Sequence, residues 1–117
     1  MSDTHLELTD ANFAAKVETS HGIMVIDFWA PWCGPCLMLE PILDEVAASF
    51  KDDANVFFAK LMVDDNPQMT EKYEVSSLPT IGFFVDGKLI DQTLGVQTKE
   101  NIIARIKAVQ AKATAGN

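Results

Sequence analysis

Apolar residues along this chain recur with two periods, one of two residues and one of roughly 3.6, and the switches between them outline the secondary structure. Ile23 to Trp29 is apolar on both alternating faces, with Ile23, Val25 and Trp29 on one side and Met24, Ile26 and Phe28 on the other. Such a strand belongs in the middle of a sheet. Val56 to Val63 repeats the pattern. Between the two, Leu39, Ile42, Leu43, Val46, Ala47 and Phe50 recur at helical spacing from Cys36 to Phe50, and Pro41 inside that run predicts a kink. A strand, helix, strand order with a connection of this length predicts a right-handed parallel crossover, which makes the two strands neighbours or near neighbours.

The remaining elements are shorter. Thr9 reads as the cap of an amphipathic helix through Ala11, Phe13, Ala14 and Val17 that stops before Gly22. Asn66-Pro67 starts a second short helix ending near Tyr73. Thr80 to Val85 and Lys88 to Leu94 flank Asp86-Gly87, a pair favoured in two-residue hairpin turns, so these two strands are expected to be antiparallel. Thr98 caps a last helix carrying Ile102, Ile103, Ile106 and Val109, and the small residues from Ala111 to Asn117 are expected to fray. The sum is an α/β fold: a sheet of four or five strands, parallel in its first part, closed by an antiparallel hairpin, with helices on both faces.

Composition narrows the function more than the fold. At 117 residues, 48% hydrophobic and 22% charged, the chain is expected to form one globular domain over 1–117 with a core large enough to need no disulfide or metal staple. A net charge of -8 repels phosphate, so nucleic acid is excluded as a partner. The acidic stretch Met1 to Asn12 lacks the basic and apolar regions of a signal peptide. No apolar run approaches the ~20 residues of a membrane span, since Ile23 to Leu39 is broken by Asp27, Gly34 and two prolines. No membrane partner is expected, and cytoplasmic residence is the default. In that reducing compartment a lone cysteine pair points to redox or metal chemistry rather than to a structural staple.

The pair lies in Trp32-Cys33-Gly34-Pro35-Cys36, after a central strand and at the mouth of a helix. Residues i and i+3 at a helix start bring their Cα atoms to roughly 5 to 6 Å, within the range a disulfide accepts. Closing so small a loop stabilises a fold by only about 2 kcal/mol, which makes redox exchange the better reason for the spacing. Cys33 precedes the helix, where unpaired amides and the positive end of the helix dipole favour a thiolate; Cys36 lies inside the first turn and faces inward. Cys33 is therefore read as the exposed nucleophile and Cys36 as the shielded resolving thiol. Gly34 leaves the approach open, and Pro35 fixes φ and removes an amide that would lack a partner. A zinc site would have to add His5 and His21. That spacing matches no familiar finger and Pro35 stiffens the turn, so no metal is expected and the histidines are read as polar loop residues.

Asp27 places a carboxylate in a central strand on the face of Ile23 and Val25, where charge is costly. Lys60 shares a face with Val56 and Phe58 on the neighbouring strand. One reading is a compensating buried ion pair or a lysine that reaches the rim; the other is a carboxyl of raised pKa beneath the cysteines that exchanges the Cys36 proton, tuned by Lys60. Pro79 starts the fourth strand, where a cis turn or a tolerated first-position proline both fit. Trp29 occupies a core position, Trp32 can rim a binding surface, and Gly95 reads as a turn residue.

With Asp27-Phe28-Trp29-Ala30-Pro31-Trp32-Cys33-Gly34-Pro35-Cys36, Lys60, Leu78-Pro79-Thr80 and Gly95 in place, the sequence resembles the thioredoxin family over nearly its whole length. The resemblance implies the five-stranded mixed sheet of that fold and a dithiol that reduces protein disulfides. It also implies a monomer without a cofactor of its own, re-reduced by a thioredoxin reductase that passes NADPH electrons through flavin. By the same resemblance, Asp27 accepts the Cys36 proton, Pro79 is the cis-proline facing the disulfide, and Trp32, Leu78 and Gly95 belong to a hydrophobic substrate platform. Two positions depart from the pattern: Leu37 stands where lysine is common, and Leu78 where isoleucine or valine is. Both bear on partner choice rather than reaction type. The competing class is a binding module in which the folded dithiol serves as a subunit or regulator of another enzyme.

Overall fold

The computed structural model describes residues 5–115. Its strands are β1 (Leu6–Leu8), β2 (Ile23–Trp29), β3 (Val56–Met62), β4 (Thr80–Val85) and β5 (Lys88–Leu94); its α-helices are α1 (Gly34–Ser49), α2 (Pro67–Lys72) and α3 (Lys99–Ala115). The strands form one five-stranded sheet in the order β1-β3-β2-β4-β5. Pairing is parallel from β1 through β3 to β2 and antiparallel from β2 through β4 to β5, the mixed sheet the pattern predicts. The Asp86-Gly87 turn between β4 and β5 has positive φ at both residues, 49° and 83°, as a two-residue turn of this hand requires.

Two cores explain why β2 and β3 are apolar on both faces. Ile23 and Val25 meet Val56 and Phe58 under Leu39, Leu43 and Val46 of α1 and Ile102, Ile106 and Val109 of α3. Met24, Ile26 and Phe28 meet Ala59 and Leu61 on the opposite face, closed by Phe13, Val17 and Phe84, with Met69 and Tyr73 packed against them. α1 continues through Pro41, whose missing N–H leaves the Leu37 carbonyl without its helical donor.

Three local features differ from expectation. β1 carries no periodic signal because Leu6 and Glu7 are exposed and only Leu8 is buried; pairing with Ala59, Lys60 and Leu61 of β3 makes it a strand. Thr9 does cap a turn, accepting the Asn12 N–H at 3.1 Å while Asn12 Oδ1 accepts the Thr9 N–H at 2.7 Å. The segment beyond that turn, Ala14–Glu18, is a π-helical turn rather than an amphipathic α-helix. α3 is capped by Thr98, whose hydroxyl accepts the Asn101 N–H at 3.0 Å, and it remains helical to Ala115. Alanine and lysine past Ala111 are strong helix formers, so the run expected to fray extends the helix; Gly116 and Asn117 lie outside the described residues.

The start of α2 is set from elsewhere in the chain. Asp10 accepts the N–H of Gln68 at 3.1 Å and of Met69 at 2.9 Å, so its carboxylate caps the helix. Asn66, buried beside it, accepts the Asp10 N–H at 2.8 Å and donates to the Met62 carbonyl at 2.9 Å. This lattice fixes the segment after β3 against the end of the sheet where β2 and β3 finish and β4 begins.

Candidate active site at the end of the central strands

β2 finishes at Trp29, and a short turn leads into α1 with Cys33 as its N-cap, in extended backbone at φ -94° and ψ 108°. That conformation turns the Cys33 sulfur back over the helix start, where it accepts the Cys36 N–H at 3.2 Å. Cys33 and Cys36 are joined as a disulfide with their Cα atoms 5.2 Å apart. Exposure separates them less than the sequence suggests, at 6% for Cys33 and 2% for Cys36. The expected exposed nucleophile is thus corrected for the disulfide form: the sulfur that folds back on the helix is itself largely covered. What distinguishes the two is access. Cys33 lines a surface cleft of about 520 Å³ together with Trp32, Gly34, Pro35 and Leu78, and Cys36 is not among its lining residues.

Asp27 and Lys60 are opposite each other in the β2–β3 register, both 6% exposed. The compensating ion pair that this register allows does not form among the described residues. Lys60 instead holds its Nζ over the Trp29 ring, 4.8 Å from the centroid, where the ring quadrupole meets its charge. Oδ1 of Asp27 has no hydrogen-bond partner among the described residues. Desolvation in the core pushes the Asp27 carboxyl up to about 7; the Lys60 charge opposes this and Glu40 adds to it. A carboxyl so placed changes protonation near neutral pH.

The rim is built from three chain segments. Trp32 is 69% exposed, and its Nε1–H donates to Asp64 Oδ2 at 2.6 Å. Asp64 was not legible as a site residue; it lies in the turn directly after β3, which the parallel crossover brings beside the end of β2. The Leu78–Pro79 peptide is cis. Leu78 packs on Cys33, Cys36 and Ala30, and Pro79 is buried behind it. Gly95 donates its N–H to the Pro79 carbonyl at 2.8 Å, so it supports the proline turn without lining the cleft. Val63, Thr70, Val75 and Ser76 complete the cleft wall, none of them singled out by sequence pattern.

The histidines stand apart from the cysteines. His5 lies in the bend before β1, as a loop residue, but its ring is not free: it stacks on Phe58 with centroids 6.0 Å apart, and its Nε2 is 3.6 Å from Asp44. Burial lowers its pKa despite Asp44. His21 is exposed. Among the described residues no group of three or more His, Cys, Asp or Glu is arranged to hold a metal.

The family model for thioredoxin matches residues 4–108. The chain belongs to the thioredoxin family. Thioredoxins of Staphylococcus aureus strains Mu50, MW2 and N315 are each 47% identical to it over 97 residues, covering 83% of this chain and 89% of the relative. The five-stranded mixed sheet is accordingly the thioredoxin fold. Family membership together with the bonded Cys33–Cys36 pair makes the protein a thiol-disulfide oxidoreductase. No helix among the described residues is long and apolar enough to cross a membrane.

Proposed function

We propose that this thioredoxin-family protein is a general protein-disulfide reductase of the cytoplasm, a single domain over 1–117, re-reduced by a thioredoxin reductase. The observation that carries the reading is the asymmetry at the helix start: Cys33 opens on the cleft and takes an amide hydrogen bond at α1, whereas Cys36 is closed off from the cleft. The helix end and the Cys36 amide favour negative charge on the Cys33 sulfur. As a thiolate, Cys33 attacks one sulfur of a substrate disulfide, forming a mixed disulfide and releasing the other substrate sulfur as a thiolate. Cys36 then loses its proton to Asp27, attacks Cys33, and releases the second substrate thiolate. The substrate disulfide gains two electrons and the Cys33–Cys36 dithiol loses them.

In this reading Lys60 tunes Asp27. Trp32, Gly34, Pro35 and Leu78 form the surface on which the substrate backbone lies, with Pro79 buried behind Leu78 as its support and Gly95 holding the Pro79 turn. Alkylation of the reduced protein near neutral pH, followed by mass mapping, tests the assignment of roles. Cys33 is expected to be labelled first; labelling of Cys36 ahead of it reverses the roles of nucleophile and resolving thiol.

A further inference from the structure

The cleft over Cys33 continues along α2. Val63, Thr70, Val75 and Ser76 belong to its wall and also to that of a second groove of about 590 Å³, whose outer side carries Asp64, Glu71 and Glu74. These three acids are exposed, and among the described residues no lysine or arginine lines either cavity. The nearby cations are engaged elsewhere. Lys72, in the last turn of α2, has its Nζ 3.1 Å from Glu18 and lies over the Tyr73 ring, and Lys60 is buried against Trp29. Asp64 is partly committed to the Trp32 indole, whereas Glu71 and Glu74 make no salt bridge among the described residues. An apolar floor with negative charge along one lip, and no cation to balance it, favours a positively charged chain both in encounter and in register.

Resting on the reading of Cys33 as the attacking thiol, we propose that the groove along α2 receives the chain flanking the attacked cysteine. It selects disulfide-bearing segments that carry lysine or arginine on that side, with Glu71 and Glu74 as the selecting charges.

The probe is a set of peptides with one cysteine disulfide-bonded to 2-mercaptoethanol and three lysines, three glutamines or three glutamates placed on either side of it. Single-turnover reduction by the dithiol protein is followed for each. At low salt the lysine peptide is expected to react about tenfold faster than the glutamate peptide in one of the two placements, a ratio that shrinks as salt screens the groove. The double variant Glu71→Gln/Glu74→Gln should bring that ratio below about twofold. Glu45→Gln/Asp52→Asn, which removes the same charge from the later part of α1 and the turn after it, should leave it in place. Equal rates for lysine and glutamate peptides, or an equal fall of the ratio in both double variants, would overturn the proposal. Attack on 2-hydroxyethyl disulfide separates the two failures: if the parent reduces it normally but shows no charge preference, only the groove assignment falls; if it does not reduce it, the reductase reading itself falls.

Discussion

Where β2 begins, the Asp86 carboxylate accepts the Gly22 N–H at 2.9 Å, the Gly22 carbonyl accepts the Asp86 N–H at 3.0 Å, and Ile23 donates to the Asn55 carbonyl at 2.8 Å. Where β2 finishes, the indole of Trp32 stands in solvent, Leu94 is 56% exposed, and a buried carboxylate oxygen of Asp27 has no partner among the described residues. The same strands thus have one end in which backbone and side-chain polar groups are tied off and another in which apolar surface and an unsatisfied acid are left available. A sheet stabilised through its two faces can carry both, because the ends contribute little to the core. The lesson is a division of labour: substitutions at the beginning of β2 are expected to act on stability, and substitutions at its finish on chemistry.

The largest expected effect lies at the open end. Cys36→Ser leaves Cys33 able to attack but removes the thiol that resolves the mixed disulfide, so turnover with insulin should fall at least ~10³-fold and covalent adducts with protein disulfides should accumulate. Compared in the reduced state, the variant and the parent should have nearly the same denaturant midpoint. Non-reducing gels and chemical melts check the two halves of this expectation, and unchanged turnover would make the pair's asymmetry irrelevant to function.

The closed end should behave in reverse. A Cβ added to Gly87 would sit 2.8 Å from the Glu18 carbonyl oxygen and 2.9 Å from the Glu18 Cα, on a residue whose φ is +83°. Neither backbone can yield cheaply, so Gly87→Ala should lower stability by about 2 to 4 kcal/mol. Its activity per folded molecule should stay at the parent level, measured by insulin reduction well below the melting temperature.

Asp27→Asn connects the two kinds of effect. Burial raises the Asp27 pKa from 3.8 to about 7, so the folded protein holds this proton more tightly than the unfolded chain. The group's stabilising contribution is therefore complete below the unfolded pKa and is lost as pH climbs through the folded one. At pH 8 the parent keeps a desolvated carboxylate in its core and the variant does not. The variant should be more stable there by ~1 to 3 kcal/mol and should lose this advantage by pH 4. Resolution by Cys36 should slow at the same time while the first attack is less affected. Urea melts across this pH range, with single-turnover kinetics, decide it; a variant less stable than the parent at pH 8 would mean that Lys60 depends on the carboxylate despite its place over Trp29.

How far each end could be read from the sequence depends on the range of the interactions that build it. The two-faced patterns of Ile23–Trp29 and Val56–Val63, the Asp86-Gly87 turn, the Thr98 cap and the cysteine spacing are local, and the structure has them where the pattern puts them, except that the second strand ends one residue earlier, at Met62. The opposition of Asp27 and Lys60 was also legible, from strand faces and the crossover alone. What could not be read depends on partners far along the chain. β1 exists through its pairing with β3, Asp10 caps a helix whose first residue is Pro67, and Asp64 becomes part of the rim through its bond to Trp32. The side-chain choice of Lys60 between a carboxylate and an indole ring is likewise a question of packing, which no spacing encodes.

The smallest effect, and the sharpest test of the division between the ends, is expected at Gly95. Its φ of +80° resembles that of Gly87, but a Cβ added there meets nothing within 4 Å. Gly95→Ala should therefore lose only about 1 kcal/mol, the cost of an L residue in a left-handed conformation without a clash. Its N–H still has the Pro79 carbonyl to bond, so the cis-proline turn should keep its shape. The new methyl would project from the end of β5 beside exposed Leu94 and Val96, on the part of the surface where a protein substrate is expected to lie. Reduction of insulin should fall a few-fold through KM, whereas reduction of a small disulfide such as 2-hydroxyethyl disulfide should be unchanged. A larger loss of stability than at Gly87 with both substrates unaffected would reverse the comparison, placing the structural glycine at the open end and the dispensable one at the closed end.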